Sequence, residues 1–204
     1  MKLEVRDMSI FARSHSMPST RDDQLTARCR AGDVDAFSCV YASCERQVFR
    51  YAYHLLGNRD DADDVKQETF VKAWQAIRSF KGDCAINIWL FRICGNVCRD
   101  RLRAQKRRKT ESRDSMDTDE RNCDQTMDPH AVAERKLENQ ALKRALSGIP
   151  AAQREIIVLR ELEDLSYSEI ASTLQCSIPS VKIKLFRARR LLKDRMISLL
   201  GETL

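Results

Sequence analysis

The sequence predicts an all-α protein with two small helical domains joined by a flexible acidic linker. Only six Gly and four Pro occur in 204 residues, few β-branched residues alternate with polar ones, and apolar residues recur at helical spacing. A chain of this length suits two small domains or one medium one. We expect an extension at residues 1–21, a first domain at 22–109, a linker at 110–130 and a second domain at 131–204.

Four helices are predicted in the first domain, and glycines separate them. They span residues 22–31, 34–57, 60–79 and 85–108, with breaks at Gly32, Gly57 and Gly82. The linker that follows carries seven acidic residues against Arg113 and Arg121, and it has no apolar period. Such a composition is typical of a segment that does not fold by itself.

Four further helices are predicted in the second domain, at residues 131–147, 151–163, 167–174 and 178–198. The last two have the pattern of a helix-turn-helix. Ser166 and Glu169 have the spacing of a capping box at the start of the first of them. Ser177 can cap the second, and Pro179 lies in its first turn, where a missing amide hydrogen has little effect.

The final helix has one apolar face and one basic face. Its apolar stripe comprises Val181, Leu185, Ala188 and Leu192. From Lys182 to Arg195, seven basic residues accompany a single acid, Asp194. A solvated face usually mixes charges of both signs, so this face indicates contact with DNA. A helix-turn-helix places its second helix in the major groove.

An acidic face is predicted on the helix at residues 60–79. It comprises Asp60, Asp63, Asp64, Gln67 and Val71, flanked by Glu68, Phe70 and Trp74. Acidic charge alone is typical of a solvated helix. Large aromatic side chains beside a polar face are typical of a docking surface for another protein. Periodicity supports the two interpretations equally.

A different surface is predicted on the helix at residues 85–108. Beside an apolar stripe lies an arc of Trp89, Arg92, Asn96, Arg99 and Arg103. Seven bases between Arg99 and Lys109 accompany one acid. An aromatic ring, an amide and several cations on one face suit the binding of single-stranded DNA. Trp89 by itself is more typical of a core side chain, but the basic run around Asn96 favours nucleic acid.

The sequence carries no sign of catalysis, of a metal or of another cofactor. Its eight cysteines and three histidines lack the spacing of a zinc site, and it has no phosphate-binding glycine loop and no nucleophile motif. Cys94 lies on an apolar stripe, which predicts a buried hydrophobic cysteine. No segment is apolar enough to span a membrane and the N-terminus does not have the pattern of a signal peptide, so we expect a cytoplasmic protein without a small-molecule substrate.

With these features the chain resembles bacterial sigma factors of the extracytoplasmic-function group, particularly the envelope-stress sigma-E type. The resemblance covers about residues 22–109 and 131–197. It is carried by the runs Asp60–Trp74, Phe80–Asp83 and Trp89–Ile93, by Asn96, and by the helix-turn-helix with Phe186–Arg189. It implies that the first domain is sigma region 2 and the second is sigma region 4, in a transcription initiation factor that catalyses no reaction.

The resemblance also implies partners and binding residues. Core RNA polymerase would be bound through its β′ coiled coil and its β flap, and the residues implied for core binding are Asp60, Asp63, Asp64, Gln67, Glu68 and Phe70. The melted −10 strand of promoter DNA would contact Lys81, Asp83, Ala85, Trp89, Arg92, Asn96, Arg99 and Arg103. The −35 duplex would contact Arg160, Lys182, Ile183, Lys184, Phe186, Arg187 and Arg190.

Five positions of the helix-turn-helix depart from the family pattern. Gln175 and Pro179 replace glycines, Ile183 replaces a serine, and Lys182 and Lys184 replace arginines. Because lysine cannot form the bidentate fork of arginine to guanine, the −35 preference is expected to differ from the common one.

Two alternatives concern function and regulation. A stand-alone helix-turn-helix regulator would bind duplex DNA as a dimer without polymerase, but it would not need the acidic face or the arc around Asn96. For regulation, the resemblance implies an anti-sigma factor, in this family often membrane-anchored, that lies between the domains. A direct thiol switch through the cysteines is the competing hypothesis.

Overall fold

The computed structural model describes residues 20–111, 142 and 144–201, and every regular element in those residues is helical. The predicted all-α class is therefore confirmed. The predicted linker, the helix expected at 131–147 and the N-terminal extension lie largely outside the described residues. None of the helices in this part of the chain is long and apolar enough to cross a membrane.

Four helices and one short turn make up the described first domain. They are α1 (Thr20–Arg30), α2 (Val34–Leu56), α3 (Arg59–Ala76), a 3₁₀ turn (Ile77–Ser79) and α4 (Ile86–Glu111). The single helix expected at 60–79 therefore changes to a 3₁₀ turn before it ends. Asp33 and Asn58 cap α2 and α3, because each side chain accepts a backbone amide at 3.0 Å. Gly57 ends α2 at φ +76°, in the left-handed region that glycine adopts readily.

In the second domain the described elements are α5 (Ala151–Ile157), a π-helical turn (Val158–Leu162), α6 (Tyr167–Thr173) and α7 (Ile178–Gly201). The helix expected at 151–163 is therefore divided. At its end the amide of Glu163 donates to the carbonyl of Val158 at 3.0 Å, which is the wide spacing of a π turn. Asp164 then adopts a positive φ of 52°.

Helices α2, α3 and α4 pack around the core of the first domain. Fully buried side chains of this core include Val40, Val65, Leu90, Cys94 and Cys98. The expectation that Cys94 is a buried hydrophobic side chain is confirmed. Burial of two cysteines one helical turn apart on α4 lets that helix pack closely, because the thiol side chain is small and apolar.

The second domain packs directly against α2 and α4. Helix α6 contacts α4, whereas α5 and the π turn contact α2. Apolar side chains from both domains, such as Phe91 and Leu159, belong to one continuous buried cluster. The two domains therefore share a core in addition to having their own.

Buried ion pairs also join the domains. Glu163, 2% exposed, accepts hydrogen bonds from Arg50 at 2.8 and 2.6 Å. Glu155, 4% exposed, accepts one from the Tyr51 hydroxyl at 3.0 Å and one from Arg99. Burial raises the pKa of Tyr51 well above its ordinary value. A buried carboxylate without partners is strongly unfavourable, so these pairs make the contact between the domains specific.

Gly95 of α4 allows this close approach. A Cβ atom at this position would lie 2.7 Å from Oε1 of Glu155 and 2.9 Å from the hydroxyl oxygen of Tyr51. A glycine inside a helix is usually unfavourable by about 0.5–1 kcal/mol relative to alanine. The approach of the second domain is the physical reason for a glycine here.

A half-buried histidine on α2 is expected to make stability depend on pH. Burial and the nearby charge of Arg50 lower the pKa of His54 from 6.5 to about 4. His54 therefore stays neutral in the folded protein while the unfolded chain takes up a proton below pH 6.5. The free energy of unfolding should be unaffected above pH 6.5 and should fall between pH 6.5 and 4. The expected loss is about 3 kcal/mol, at about 1.4 kcal/mol per pH unit.

Chemical denaturation of the wild-type chain and of His54→Gln at pH 7 and pH 4.5 checks this expectation. The variant should lose less stability between the two pH values, because glutamine does not titrate. An equal loss in both proteins would show that other groups cause the acid sensitivity.

Candidate nucleic-acid and protein interfaces

Helices α6 and α7 form the predicted helix-turn-helix, and its capping box is present. The Ser166 hydroxyl accepts a hydrogen bond from the amide of Glu169 at 3.3 Å, and the Glu169 carboxylate accepts one from the amide of Ser166 at 2.8 Å. In the turn, Gln175 has a positive φ of 50°. This conformation favours glycine and is unfavourable by about 1–2 kcal/mol for other residues. The turn is thus held by the packing of the helices on either side.

Helix α7 exposes its predicted basic face. The buried stripe of α7 comprises Val181, Leu185 and Ala188. The exposed side comprises Lys182, Ile183, Lys184, Phe186, Arg187 and Arg190. Arg160, on the π turn, is half-buried; it donates to the carbonyl of Leu165 at 2.7 Å and its guanidinium lies over the Tyr167 ring. Arg160 therefore holds the segment that leads into α6.

Helix α3 exposes most of the predicted acidic face. Asp60, Asp64, Gln67 and Glu68 are exposed, and Asp63 is half-buried. Arg101 of α4 pairs with Asp61 and with Asp64, at 2.7 Å in each case. Lys72 pairs with Glu68 at 2.7 Å. The pair of Lys72 with Glu68 is exposed and contributes little to stability, and Asp64 is exposed although Arg101 is half-buried, so a partner's cations can replace these two internal ones at small cost.

Phe70 is buried, and other side chains border the acidic face in its place. Its ring lies 4.6 Å from that of Tyr41 and 6.4 Å from that of Phe37, measured between centroids. Trp74 packs on Phe37 at 5.0 Å. The tryptophan is 36% exposed and Val71 is 56% exposed. Phe70 therefore supports an aromatic cluster whose outer members reach solvent.

The contribution of α2 to this surface is absent from the sequence-based predictions. Val34 is 63% exposed and Tyr41 is 37% exposed, and both lie on the side of α2 that carries Phe37. The spacing of these three residues, i, i+3 and i+7, is the signal that could have identified them. We use the name acidic-aromatic face for the exposed acids of α3 together with Val34, Tyr41, Val71 and Trp74.

The loop before α4 carries the first residues expected to bind a melted DNA strand. Lys81 and Asp83 are exposed there, and Ala85 is half-buried. Trp89 is only 9% exposed, because its ring stacks on Phe80 with 4.8 Å between centroids. The indole therefore fixes the loop against α4 and offers little free surface for a base to stack on.

The second domain contacts part of the same face. Arg92 donates to the Ser172 hydroxyl of α6 at 2.9 Å. Arg99 donates to Glu155 of the second domain and to the side-chain oxygen of Asn96. Further along α4 the exposed residues include Asn96 and the cations Arg103, Lys106, Arg107 and Arg108, together with one acid, Asp100. The face is thus open at Asn96 and beyond Arg99, and occupied at Arg92 and Arg99.

The cysteines show no metal site within the described residues. In that part of the chain no group of three His, Cys, Asp or Glu side chains could hold an ion. Cys29, Cys44, Cys94 and Cys98 are buried. Burial raises the pKa of Cys29, and a hydrogen bond with Cys94 raises that of Cys98. Buried thiols with raised pKa values react slowly, because the thiolate is the reactive form.

Two protein-family models match the chain. The model for sigma-70 region 2 matches residues 40–108, and the model for sigma-70 region 4 matches residues 139–192. Together they cover more than half of the sequence.

Curated relatives match nearly end to end. The extracytoplasmic-function RNA polymerase sigma-E factor of Haemophilus influenzae is 33% identical over 183 residues, which are 86% of this chain and 95% of the relative. RNA polymerase sigma-H factor of Pseudomonas aeruginosa is 30% identical over 191 residues, 89% of this chain and 97% of the relative. The sigma-E factor of Escherichia coli K12 is 31% identical over 180 residues, 86% and 94% respectively.

Two solved structures are similar in fold. CnrH, solved in complex with the cytosolic domain of CnrY, has a TM-score of 0.66 at 28% identity, over 87% of this chain and 97% of that one. The sigma factor RpoE of Bartonella quintana, solved with the anti-sigma factor NepR, has a TM-score of 0.66 at 27% identity, over 78% of this chain and 96% of that one.

Proposed function

The chain belongs to the extracytoplasmic-function group of the sigma-70 family and is a sigma factor that directs core RNA polymerase to promoters, and we propose which surface carries out each step. The acidic-aromatic face binds core polymerase, α4 holds the melted −10 strand, and α7 reads the −35 duplex. We also propose that the protein acts in the cytoplasm, where polymerase is found, and that it catalyses no reaction of its own.

One observation carries this assignment: a basic helix-turn-helix face and an acidic-aromatic face are exposed on the same chain. DNA repels an acidic surface, so the two faces require two different partners. Val71, Trp74 and Tyr41 supply apolar anchors beside the acids, as protein interfaces do. Basic groups of the β′ coiled coil would replace Arg101 and Lys72 as partners of Asp64 and Glu68. The β flap would contact the second domain.

The −10 strand and the second domain compete for two cations of α4. The N–H group of Arg99 that donates to Glu155 is not available to a DNA phosphate. The same holds for the N–H group of Arg92 that donates to Ser172. We propose that strand binding requires these contacts between the domains to break. Asn96 is exposed and would hydrogen-bond an unstacked base, as side-chain amides do in single-strand recognition.

A binding experiment tests the assignment against a stand-alone regulator. Mobility shift of the full chain on promoter DNA, with and without core polymerase, should give a sequence-specific complex only when core polymerase is present. Specific binding by a dimer of the chain alone would support the stand-alone regulator and contradict the proposal.

Asn96→Ala should impair strand opening without impairing −35 binding. Loss of one hydrogen bond to a base should reduce the open complex about tenfold, since such bonds are worth about 1 kcal/mol or somewhat more. Permanganate reactivity of −10 thymines measures the open complex, and footprinting measures −35 occupancy. Asn87→Ala is the matched control, because Asn87 lies two and a half turns away on the opposite face of the same helix. Wild-type permanganate reactivity in Asn96→Ala would exclude a base contact by Asn96.

We also propose that an anti-sigma factor controls this chain. CnrH and the Bartonella RpoE were each solved with a partner protein bound, and the acidic-aromatic face offers a partner exposed apolar side chains beside charge. Of the seven described cysteines four are buried, so the competing redox hypothesis would have to use the exposed Cys39 or the half-buried Cys84 and Cys176. A pull-down from unstressed native cells should recover an inhibitor in place of polymerase, and Trp74→Ala should weaken both interactions. If promoter activation in cells changes when the cysteines are replaced in groups, and if no inhibitor is recovered, the thiol switch is favoured.

A further inference from the structure

The outward face of α7 has an apolar centre. Ile183 is 54% exposed and Phe186 is 71% exposed. At about 100° per residue, Ile183 lies almost half a turn from the buried stripe of Val181 and Leu185, so it projects farthest from the domain. Ile183 and Phe186 are three residues apart on the helix, so they are neighbours on one face and form a contiguous apolar patch, and such a patch marks a binding site.

The surroundings of Ile183 identify what covers it. Lys182, Lys184, Arg187 and Arg190 are exposed around it. A ring of cations around an apolar centre complements the major groove, where phosphates line both edges and base edges form the floor. Ile183 is the sixth residue of α7, and a helix-turn-helix directs the first turns of its second helix at the bases.

We propose that Ile183 recognises the C5-methyl group of a thymine in the −35 element, with the Phe186 ring forming the adjacent wall. This rests on the proposed role of α7 in reading the −35 duplex. Thymine carries the only apolar group that base pairs present in the major groove. Isoleucine has no hydrogen-bonding group beyond its backbone, so it would leave guanine O6 and N7 or cytosine N4 without a partner, which disfavours those bases. Ile183 therefore both selects thymine and rejects a G·C pair.

The test compares thymine with deoxyuridine, which differ by this methyl group alone. The holoenzyme selects its −35 element from random duplexes, and each selected thymine is then replaced singly by deoxyuridine. One replacement should weaken wild-type binding about fourfold, the factor expected for one buried methyl group. Ile183→Ala should weaken binding to the thymine duplex by a similar factor and should no longer distinguish uracil from thymine. Ile183→Asn should shift the selected base to adenine, since asparagine pairs with adenine in the major groove.

Ile197→Ala is the matched control. Ile197 is the same residue type on the same helix and is 58% exposed, but it lies 14 residues, about 21 Å, along α7 at 1.5 Å per residue. The Ile197→Ala variant should retain the wild-type discrimination between thymine and uracil.

Three outcomes would contradict the proposal. If the holoenzyme selects a −35 element but binds every uracil duplex as tightly as the corresponding thymine duplex, the thymine inference is wrong and the proposed function stands. If no −35 preference emerges from the selection, the proposed role of α7 fails as well. Loss of a protein partner with unchanged DNA selection in Ile183→Ala would reassign the apolar centre to protein docking.

Discussion

Reversal of charge at Asp64 and Glu68 together should abolish binding to core polymerase. Both side chains are exposed, at 62% and 45%, and each would exchange an attraction for a repulsion at the interface. Coupling energies for close interfacial charge pairs exceed about 1.5 kcal/mol each, so the double variant should lose at least about a hundredfold in affinity. Its fold should survive, because Arg101 keeps Asp61 as a partner and the exposed pair of Lys72 with Glu68 contributes little.

Asp100→Lys serves as the matched control for this variant. Asp100 is 69% exposed and is also paired, with Arg103; it lies on α4 and lines a groove together with Glu68, so this control separates the acids of α3 from acidic charge nearby. Surface plasmon resonance against core polymerase should show wild-type affinity for Asp100→Lys and no measurable binding for Asp64→Lys/Glu68→Lys. If the double variant co-purifies with polymerase at the wild-type level, α3 is not the docking helix.

Gly95→Ala should separate the two domains. Its Cβ atom would lie 2.7 Å from Oε1 of Glu155, and the buried carboxylate would lose its good contacts with Tyr51 and Arg99. Loss of a partner by a buried charge typically destabilises by about 3–5 kcal/mol. In α4 considered alone, the same change should stabilise by about 1 kcal/mol, because alanine favours a helix. The two effects have opposite signs, so the experiment is decisive.

Small-angle X-ray scattering and thermal denaturation of Gly95→Ala test this prediction. The radius of gyration should rise and the shared unfolding transition should split or fall in temperature. Glu155→Ala added to Gly95→Ala removes the nearest colliding atom and should recover part of the compactness. A compact and more stable Gly95→Ala protein would show that the domains do not meet at this point.

The fold could be predicted from the sequence wherever a single period of apolar residues dominated. Helices α2, α6 and α7 begin and end within about three residues of their predicted bounds, because caps such as Ser166 and breaks such as Gly57 have direct physical causes. The π turn after α5 could not be predicted from the sequence. One wide turn hardly changes the apolar period, so residues 151–163 have the pattern of a single helix.

The interface between the domains was the larger omission. A side chain buried within its own domain gives the same apolar sequence pattern as one buried against another domain. Phe91 is buried beside Leu90 on α4, but its sequence position does not predict which domain covers it. Glu155 and Glu163 have the sequence pattern of ordinary surface acids, and their burial depends on Arg50 and Arg99, about 50 to over 100 residues away in the chain. Single-sequence patterns extend over one or two helical turns and cannot detect such pairs.

The contacts of Arg92 and Arg99 with the second domain have a consequence for dosage. The second domain is part of the same chain, so it meets the proposed −10 site at a fixed local concentration, whatever the number of copies in the cell. Synthesis of more sigma factor would therefore leave the occupied fraction unchanged, whereas it would eventually saturate a separate inhibitor. Only a ligand that binds the protein more tightly when its domains are separated can shift the equilibrium between the packed and separated domains. Each tenfold difference in affinity between the two states shifts it by about 1.4 kcal/mol. Core polymerase is such a ligand if it holds the domains apart, so the amount of free polymerase would set how much of this protein is competent to open DNA.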